Sequence, residues 1–392
     1  SDLIDVWFDS GSMPYAQWHY PFENKDKIDD EGAYPANFIA EGVDQTRGWF
    51  FTLHAISSMV FNKVAYKNVI SNGLVLDKNG MKMSKRLGNA VDPFETMDKY
   101  GADALRWYML TNASPWDNLR FDMDGLEEVR RKFFGTLHNT YAFFALYANV
   151  DGFQFKEAPI PVLDRPEMDQ WILSELNSLI AQVVNGMEAF EPTRAFRPIQ
   201  EFTTEKLSNW YVRLGRRRFW KGHYEADKIS AYQTLWTCLE TLSRLMAPLA
   251  PFYADRLYQD LHEGVVLKAE NSVHLTQYPS SNSALIHSEL EHKINTARKL
   301  TSLVLSIRKK ENLKVRQPLA RVLVPALSNR DEEVLNSIKD LLLAEVNVKS
   351  LEVIAPDAGV FIKKVRPNFK ALGPKVGRHM KAVKAFIEGM GS

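Results

Sequence analysis

Cysteine is almost missing: Cys238 is the only one in 392 residues. One thiol can form neither an intramolecular disulfide nor a Cys-cluster zinc site, so no zinc site is expected and a reducing, cytoplasmic compartment is favoured. Cys238 lies in Leu235-Trp236-Thr237-Cys238-Leu239, an apolar helical setting in which a thiol packs as a small hydrophobe. Long apolar runs are also missing. The longest uncharged stretch, Phe133 to Val150, carries Thr136, His138, Asn139, Thr140 and Asn149, which makes it too polar for a membrane span. No signal peptide is visible, so no membrane association is expected. Net charge is equally scant: 49 basic against 48 acidic residues leave +1, and an anionic partner has to be met by local patches. Internal repeats and low-complexity tracts are absent. The first residue is Ser1 with no preceding Met, which points to a chain cut from something longer.

What is present is ample core material. The composition is 45% apolar and 25% charged, with 22 Phe, 14 Tyr and 9 Trp, far from disordered or collagen-like chains. This length calls for two or three domains. Charge is segregated along the chain: Ser1 to Phe50 holds ten acidic and three basic residues, whereas Phe361 to Lys384 holds six Lys, two Arg and no acid.

The first hundred residues alternate short strand-like runs with helical periods, the pattern of an α/β unit with a parallel sheet. Asn37–Ala40 reads as a strand ending at Glu41-Gly42, and Trp49, Leu53, Ile56 and Val60 give the next helix one apolar face. Strand-like runs at Val69-Ile70 and Leu74–Leu76 flank Ser71-Asn72-Gly73, completing half of a nucleotide-binding pattern. Asp92-Pro93-Phe94-Glu95 starts a helix that should stop near Gly101. A longer helix follows from about Gly125, with Val129, Phe133, Leu137 and Tyr141 spaced by four. Prolines at 159, 161 and 166 mark a linker; beyond it Ile172, Leu176, Leu179, Ile180, Val183 and Met187 open a helical bundle that reaches about Leu261, broken by Pro248 and Pro251. The polar stretch Tyr278–Ser283 suggests a last boundary before a basic helix and a mixed tail.

Lys82-Met83-Ser84-Lys85-Arg86 follows Asp77-Lys78-Asn79-Gly80, so the two lysines fall on a Gly-flanked, exposed loop at the sheet edge. Two ammonium groups three residues apart, with a hydroxyl between them, suit a polyphosphate whose charge migrates during reaction. A solvated basic turn is the bland alternative. The string reproduces the KMSKS-type signature of the class I aminoacyl-tRNA synthetases with Arg in the last place, and Leu87-Gly88-Asn89 with Pro93 continues it as in that family. Asp5–Ser12 (Asp-Val-Trp-Phe-Asp-Ser-Gly-Ser) and Glu41–Phe50 resemble that family's isoleucine-specific members in particular. Gly101–Arg106, Ser114–Phe121, Leu207–Arg213 and Val315–Leu319 extend the resemblance over most of the chain.

The resemblance implies activation of isoleucine by ATP with Mg2+ as substrate, followed by transfer to tRNA(Ile). Lys85 is then the ATP contact that stabilises departing pyrophosphate, with Lys82 in support and Ser84 between them. Glu41, Gly42, Asp44 and Gln45 match the adenylate-binding positions, and Trp7 and Trp49 match walls of the isoleucine side-chain pocket. The ordinary alternatives are helix N-terminal acids for Glu41 and Asp44 and core packing for the tryptophans.

Arg213, Arg216, Arg217, Arg218 and Lys221, interleaved with Phe219 and Trp220, combine phosphate neutralisation with base stacking, and in the resembled family this bundle binds the anticodon stem-loop. The competing reading is a charged face with both aromatics turned inward. Lys363, Lys364, Arg366, Lys370, Lys375, Arg378, Lys381 and Lys384 form a second basic stretch, read as a C-terminal tRNA contact.

The fold expected is α/β followed by mainly α: the second half of a Rossmann-type catalytic fold over 1–112, a stem-contact region over 113–165, an anticodon-binding helical bundle over 166–278 and a mixed basic extension over 279–392. The HIGH-type signature and the editing insertion of the family are absent from this sequence. The chain is therefore expected to be part of an isoleucine-tRNA ligase, inactive alone and monomeric; the alternatives are a non-catalytic tRNA-binding relative and a valine-tRNA ligase.

Overall fold

The computed structural model describes residues 3–30, 32–355 and 367–389. Two units divide the chain, one over 1–287 and one over 288–392.

In the first unit, helix α1 (Val6–Ala16) starts because the Asp5 carboxylate accepts the Trp7 N–H at 2.7 Å. Strand β1 (Ile39–Gly42), helix α2 (Trp49–Phe61) and strand β2 (Val69–Asn72) follow, and β1 pairs with β2 in parallel register from Ile39↔Val69 to Gly42↔Asn72. A right-handed crossover through a helix is the usual way to join two such strands. Ile39, Phe50, Leu53 and Ala65 form the core beneath them. Gly11 lets α1 approach α2, since a Cβ there would stand 2.8 Å from Ile56 Cδ1. Of the apolar face read for α2, Leu53 and Ile56 are buried, whereas Val60 is 60% exposed; the helix is near its end there and the stripe has left the core.

Strand β3 (Val75–Leu76) pairs in parallel with β4 (Leu119–Arg120). Between them lie α3 (Pro93–Tyr100), capped by Asp92 through the N–H groups of Phe94 and Glu95, and α4 (Ala102–Asn112), with Gly101 at the junction. Helix α5 (Met123–Glu128) runs through a π-helical stretch (Val129–Phe134) into α6 (Gly135–Asp151). Trp107, Leu126, Phe133 and Leu137 are wholly buried where these helices meet.

The rest of the unit is helical. Helix α7 (Glu167–Glu188) buries Ile172, Leu176, Leu179, Ile180 and Val183, while Met187, at its last turn, is 36% exposed. After α8 (Pro192–Glu201) a π-helical stretch (Phe202–Val212) leads into α9 (Arg213–Trp220), followed by α10 (Ala226–Met246) and α11 (Pro251–His262). Helix α10 stops before Pro248, and Pro251 occupies the first position of α11, where its missing N–H costs nothing. Cys238 is fully buried and burial pushes its thiol up, so packing is its role.

The second unit opens with α12 (Ser288–Lys310) and sets β5 (Leu319–Pro325) parallel to β6 (Val348–Ile354), with α13 (Asn329–Ser337) and α14 (Lys339–Val346) between them in sequence. Arg308, 1% exposed, organises this unit by donating to the carbonyls of Lys314, Gln317 and Asn347. Helices α15 (Phe369–Val376) and α16 (Met380–Gly389) end the described chain. Of the second basic stretch, Lys375, Lys381 and Lys384 are exposed, and Lys363, Lys364 and Arg366 lie outside the described residues. Among the described residues no helix is long and apolar enough to cross a membrane.

Candidate functional site

The end of β1 delivers Glu41 and Gly42 to a short 3-10 turn (Val43–Arg47), after which Gly48 precedes α2. Gln45 shapes this segment: its Oε1 accepts the Trp49 N–H at 2.9 Å and its Nε2 donates to Asp44 Oδ2 at 3.3 Å. Glu41 and Asp44 are exposed. Trp49 is half-buried and donates its indole N–H to the Ser10 carbonyl at 3.1 Å, tying α2 to α1. Trp7, 46% exposed, reaches the same place, because a Cβ on Gly48 would lie 3.2 Å from Trp7 Cη2 and 2.7 Å from Gln45 Oε1. The fold thus gathers Trp7, Gln45 and Trp49 around Gly48. A side chain at 48 would fill the gap between indole and amide, which gives this glycine a reason that sequence reading did not supply.

The register β1–β2 sets Gly42 beside Asn72, and the chain then passes through Gly73 into β3. Gly73 has no room for a side chain: a Cβ would meet the Asp117 carbonyl oxygen at 2.4 Å. Beyond Leu76 the chain turns at Asp77–Gly80, where Gly80 takes φ 83° and donates to the Asp77 carbonyl at 2.9 Å. The Asp77 carboxylate accepts the N–H groups of Asn79 (2.9 Å) and Met81 (2.8 Å) through one oxygen and the Asn89 amide (3.0 Å) through the other. Hydrogen bonding from Asn89, then from Met81, holds this carboxyl below the usual range. Lys82 forms an antiparallel bridge with Leu76, and its side chain is exposed. Ser84 donates its N–H to Asn89 Oδ1 at 2.9 Å, and its Oγ accepts the Leu87 N–H at 3.2 Å, capping the 3-10 turn Lys85–Leu87. Ser84 therefore shapes the loop, and Asp77 and Asn89 give it a defined internal frame. Those two frame residues are functional candidates that lie outside the lysine string; Asp77 with Gly80, and Asn89 in the Leu87-Gly88-Asn89 continuation, were their local signals.

The basic helix α9 divides its residues between two media. Arg216 lies over the Trp220 ring at 5.4 Å and Arg213 over Trp210 at 5.6 Å, with Arg213 Nε donating to the Asn209 carbonyl. Arg216, Arg217 and Lys221 are exposed and Trp220 is 43% exposed, whereas Phe219 is buried at 1%. Arg218 departs from the expected set. Its guanidinium clamps the wholly buried Asp169 at 2.6 and 2.8 Å and also binds Asp227 at 3.0 Å, so it is committed to an internal ion pair instead of facing solvent. Tyr211 and Ser230 complete the shell of Asp169 at 2.7 and 2.5 Å.

Among the described residues no group of His, Cys, Asp and Glu could hold a metal ion.

Against known proteins, residues 1–122 match the family model of class I tRNA synthetases (I, L, M and V), and residues 169–324 match that of the anticodon-binding domain of tRNA ligase. The isoleucine–tRNA ligase of Bacteroides fragilis is 60% identical over 390 residues, which is 100% of this chain and 34% of that protein. That of Porphyromonas gingivalis is 58% identical over 99% of this chain and 34% of its own length, and that of Thermus thermophilus 42% over 98% and 37%. The chain thus spans about a third of the length of the curated relatives it matches. Among solved structures, the LeuRS of Agrobacterium radiobacter, in a ternary complex with tRNA and LeuAMS, has a TM-score of 0.56 at 20% identity, covering 74% of this chain and 35% of that one, a likeness of fold. With the lysine loop and the β1–α2 segment inside the first matched region and the basic helix inside the second, the chain belongs to the class I tRNA synthetases.

Proposed function

We propose that the chain is part of an isoleucine-tRNA ligase, supplying the pyrophosphate-handling loop and the RNA-binding helices of an enzyme that joins isoleucine to tRNA(Ile). In this reading residues 1–112 are the second half of a Rossmann-type catalytic domain, 113–165 the stem-contact region, 166–278 the anticodon-binding bundle and 279–392 a basic extension. The parent is read as a cytoplasmic monomer, which suits a chain whose lone thiol is buried. The reading carries most weight from one observation: the Lys82–Lys85 loop follows β3, the next strand after the partner of the one that carries Glu41 and Gly42, inside a region matched to class I synthetases.

The substrates are isoleucine and ATP with Mg2+. The isoleucine carboxylate attacks the α-phosphorus of ATP, the bond to the bridging oxygen breaks, and pyrophosphate leaves with the negative charge. Lys82 and Lys85 stabilise that charge as it develops, and no covalent help from the protein is needed. Glu41, Asp44 and Gln45 offer acceptors and an amide to the ribose hydroxyls and the substrate ammonium, while Gly42 permits close approach of the nucleotide. Trp7 and Trp49, flanking Gly48, wall the side-chain pocket. Arg213, Arg216, Arg217 and Lys221 bind tRNA phosphates, with Trp220 available for stacking.

The test is ATP–pyrophosphate exchange by the full-length enzyme carrying Lys85→Ala. The unmutated enzyme is expected to exchange with isoleucine and far less efficiently with valine, and the isoleucine-dependent turnover is expected to fall about 100-fold or more in Lys85→Ala. Exchange at the wild-type rate would remove the lysine loop from the chemistry.

A further inference from the structure

The lysine loop is framed by two side chains outside the lysine string. Asn89 commits both of its donors and its amide oxygen to the loop's backbone and to Asp77: Nδ2 donates to Asp77 Oδ2 at 3.0 Å and to the Lys82 carbonyl at 3.3 Å, and Oδ1 accepts the Ser84 N–H at 2.9 Å. Asp77 grips the other side through the N–H groups of Asn79 and Met81. One amide therefore holds the backbone at Lys82 and at Ser84, the residue before Lys85. Apolar contact seconds this frame, because Met83 borders a cavity of about 150 Å³ lined also by Val75, Pro93 and Phe121.

A lysine has a long, freely rotating stem, so the volume its ammonium samples is centred on its own backbone anchor. Fixing the anchor narrows that volume before the substrate arrives, which is how positioning lowers a barrier. We infer that Asp77 and Asn89 are positioning residues for adenylate formation, acting through the backbone of Lys82–Lys85 to place the two ammonium groups on the leaving pyrophosphate. The inference rests on the reading of the loop as the ATP contact. Neither residue touches the substrate; together they form a clasp across the base of the loop.

The variant Asn89→Asp is nearly isosteric. It keeps the acceptor for the Ser84 N–H, loses both donated bonds and sets a second carboxylate against Asp77. In the full-length enzyme it is expected to lower the turnover of ATP–pyrophosphate exchange about 100-fold, with the isoleucine KM changed by less than about threefold. The double exchange D77N with N89D restores an amide–carboxylate pair across the same gap and is expected to recover about tenfold of the loss. A purely structural role would move the isoleucine KM and the thermal unfolding midpoint along with turnover. Wild-type turnover in N89D, or a loss that the double exchange leaves unchanged, would overturn the inference. Lys85→Ala, measured alongside, separates the two levels: a silent Lys85→Ala defeats the loop's role itself, whereas an impaired Lys85→Ala with a silent N89D defeats only the clasp.

Discussion

Arg216 and Arg218 stand two residues apart on one helix and do different work. Arg216 lies in solvent over Trp220, while Arg218 neutralises Asp169, which is 0% exposed. Removing Arg218 strands a buried carboxylate, and R218A is expected to lose about 3–5 kcal/mol in urea unfolding. R216A and R217A should each stay within about 0.5 kcal/mol, because exposed charges contribute little to folding. A stable R218A would show that Asp169 is solvated by other means. The run of cations was plain in the sequence. Which of them turned inward was not, because Asp169 lies 49 residues upstream and only packing of α7 against α9 brings the two together.

At the scale of elements, the capped start of α3, the break between α10 and α11 and the buried stripe of α7 were all legible, since each depends on a handful of neighbouring residues. Strand pairing was less so. Gly73 is forced by the approach of a distant segment, and G73A is expected to cost about 1–3 kcal/mol, read as a lowered thermal midpoint, because its Cβ would collide with backbone that cannot swing away. The Asp77 turn carries a pH dependence of definite sign. Its carboxyl is held below the ordinary value in the folded chain, so its contribution is complete above the unfolded carboxylate pKa and is lost as pH falls through the lowered folded one. Protection of the Asn79 and Met81 amides, measured against the intrinsic exchange rate at each pH, should fall on acidification, and D77N should abolish that pH dependence.

For the molecule as a whole, the chain covers about a third of its curated relatives, and its lysine loop and β1–α2 segment form only part of the proposed catalytic site. These 392 residues alone are expected to release no pyrophosphate above background from ATP and isoleucine, and an active fragment would refute the proposed division of labour. In filter binding across salt concentrations, the double variant R216A/R217A should weaken tRNA binding and reduce the salt slope by about two, one for each phosphate that no longer meets a guanidinium. Local chemistry was enough to announce caps, turns, helix faces and the lysine string, since propensities and short motifs act over a few residues. Long-range placement was settled elsewhere: Trp7 reaching Gly48 and Arg218 locked onto Asp169 both arise only when separate segments pack together. No window of sequence contains both partners' surroundings, and burial, which decides whether a charge serves the core or the solvent, exists only once the chain has folded.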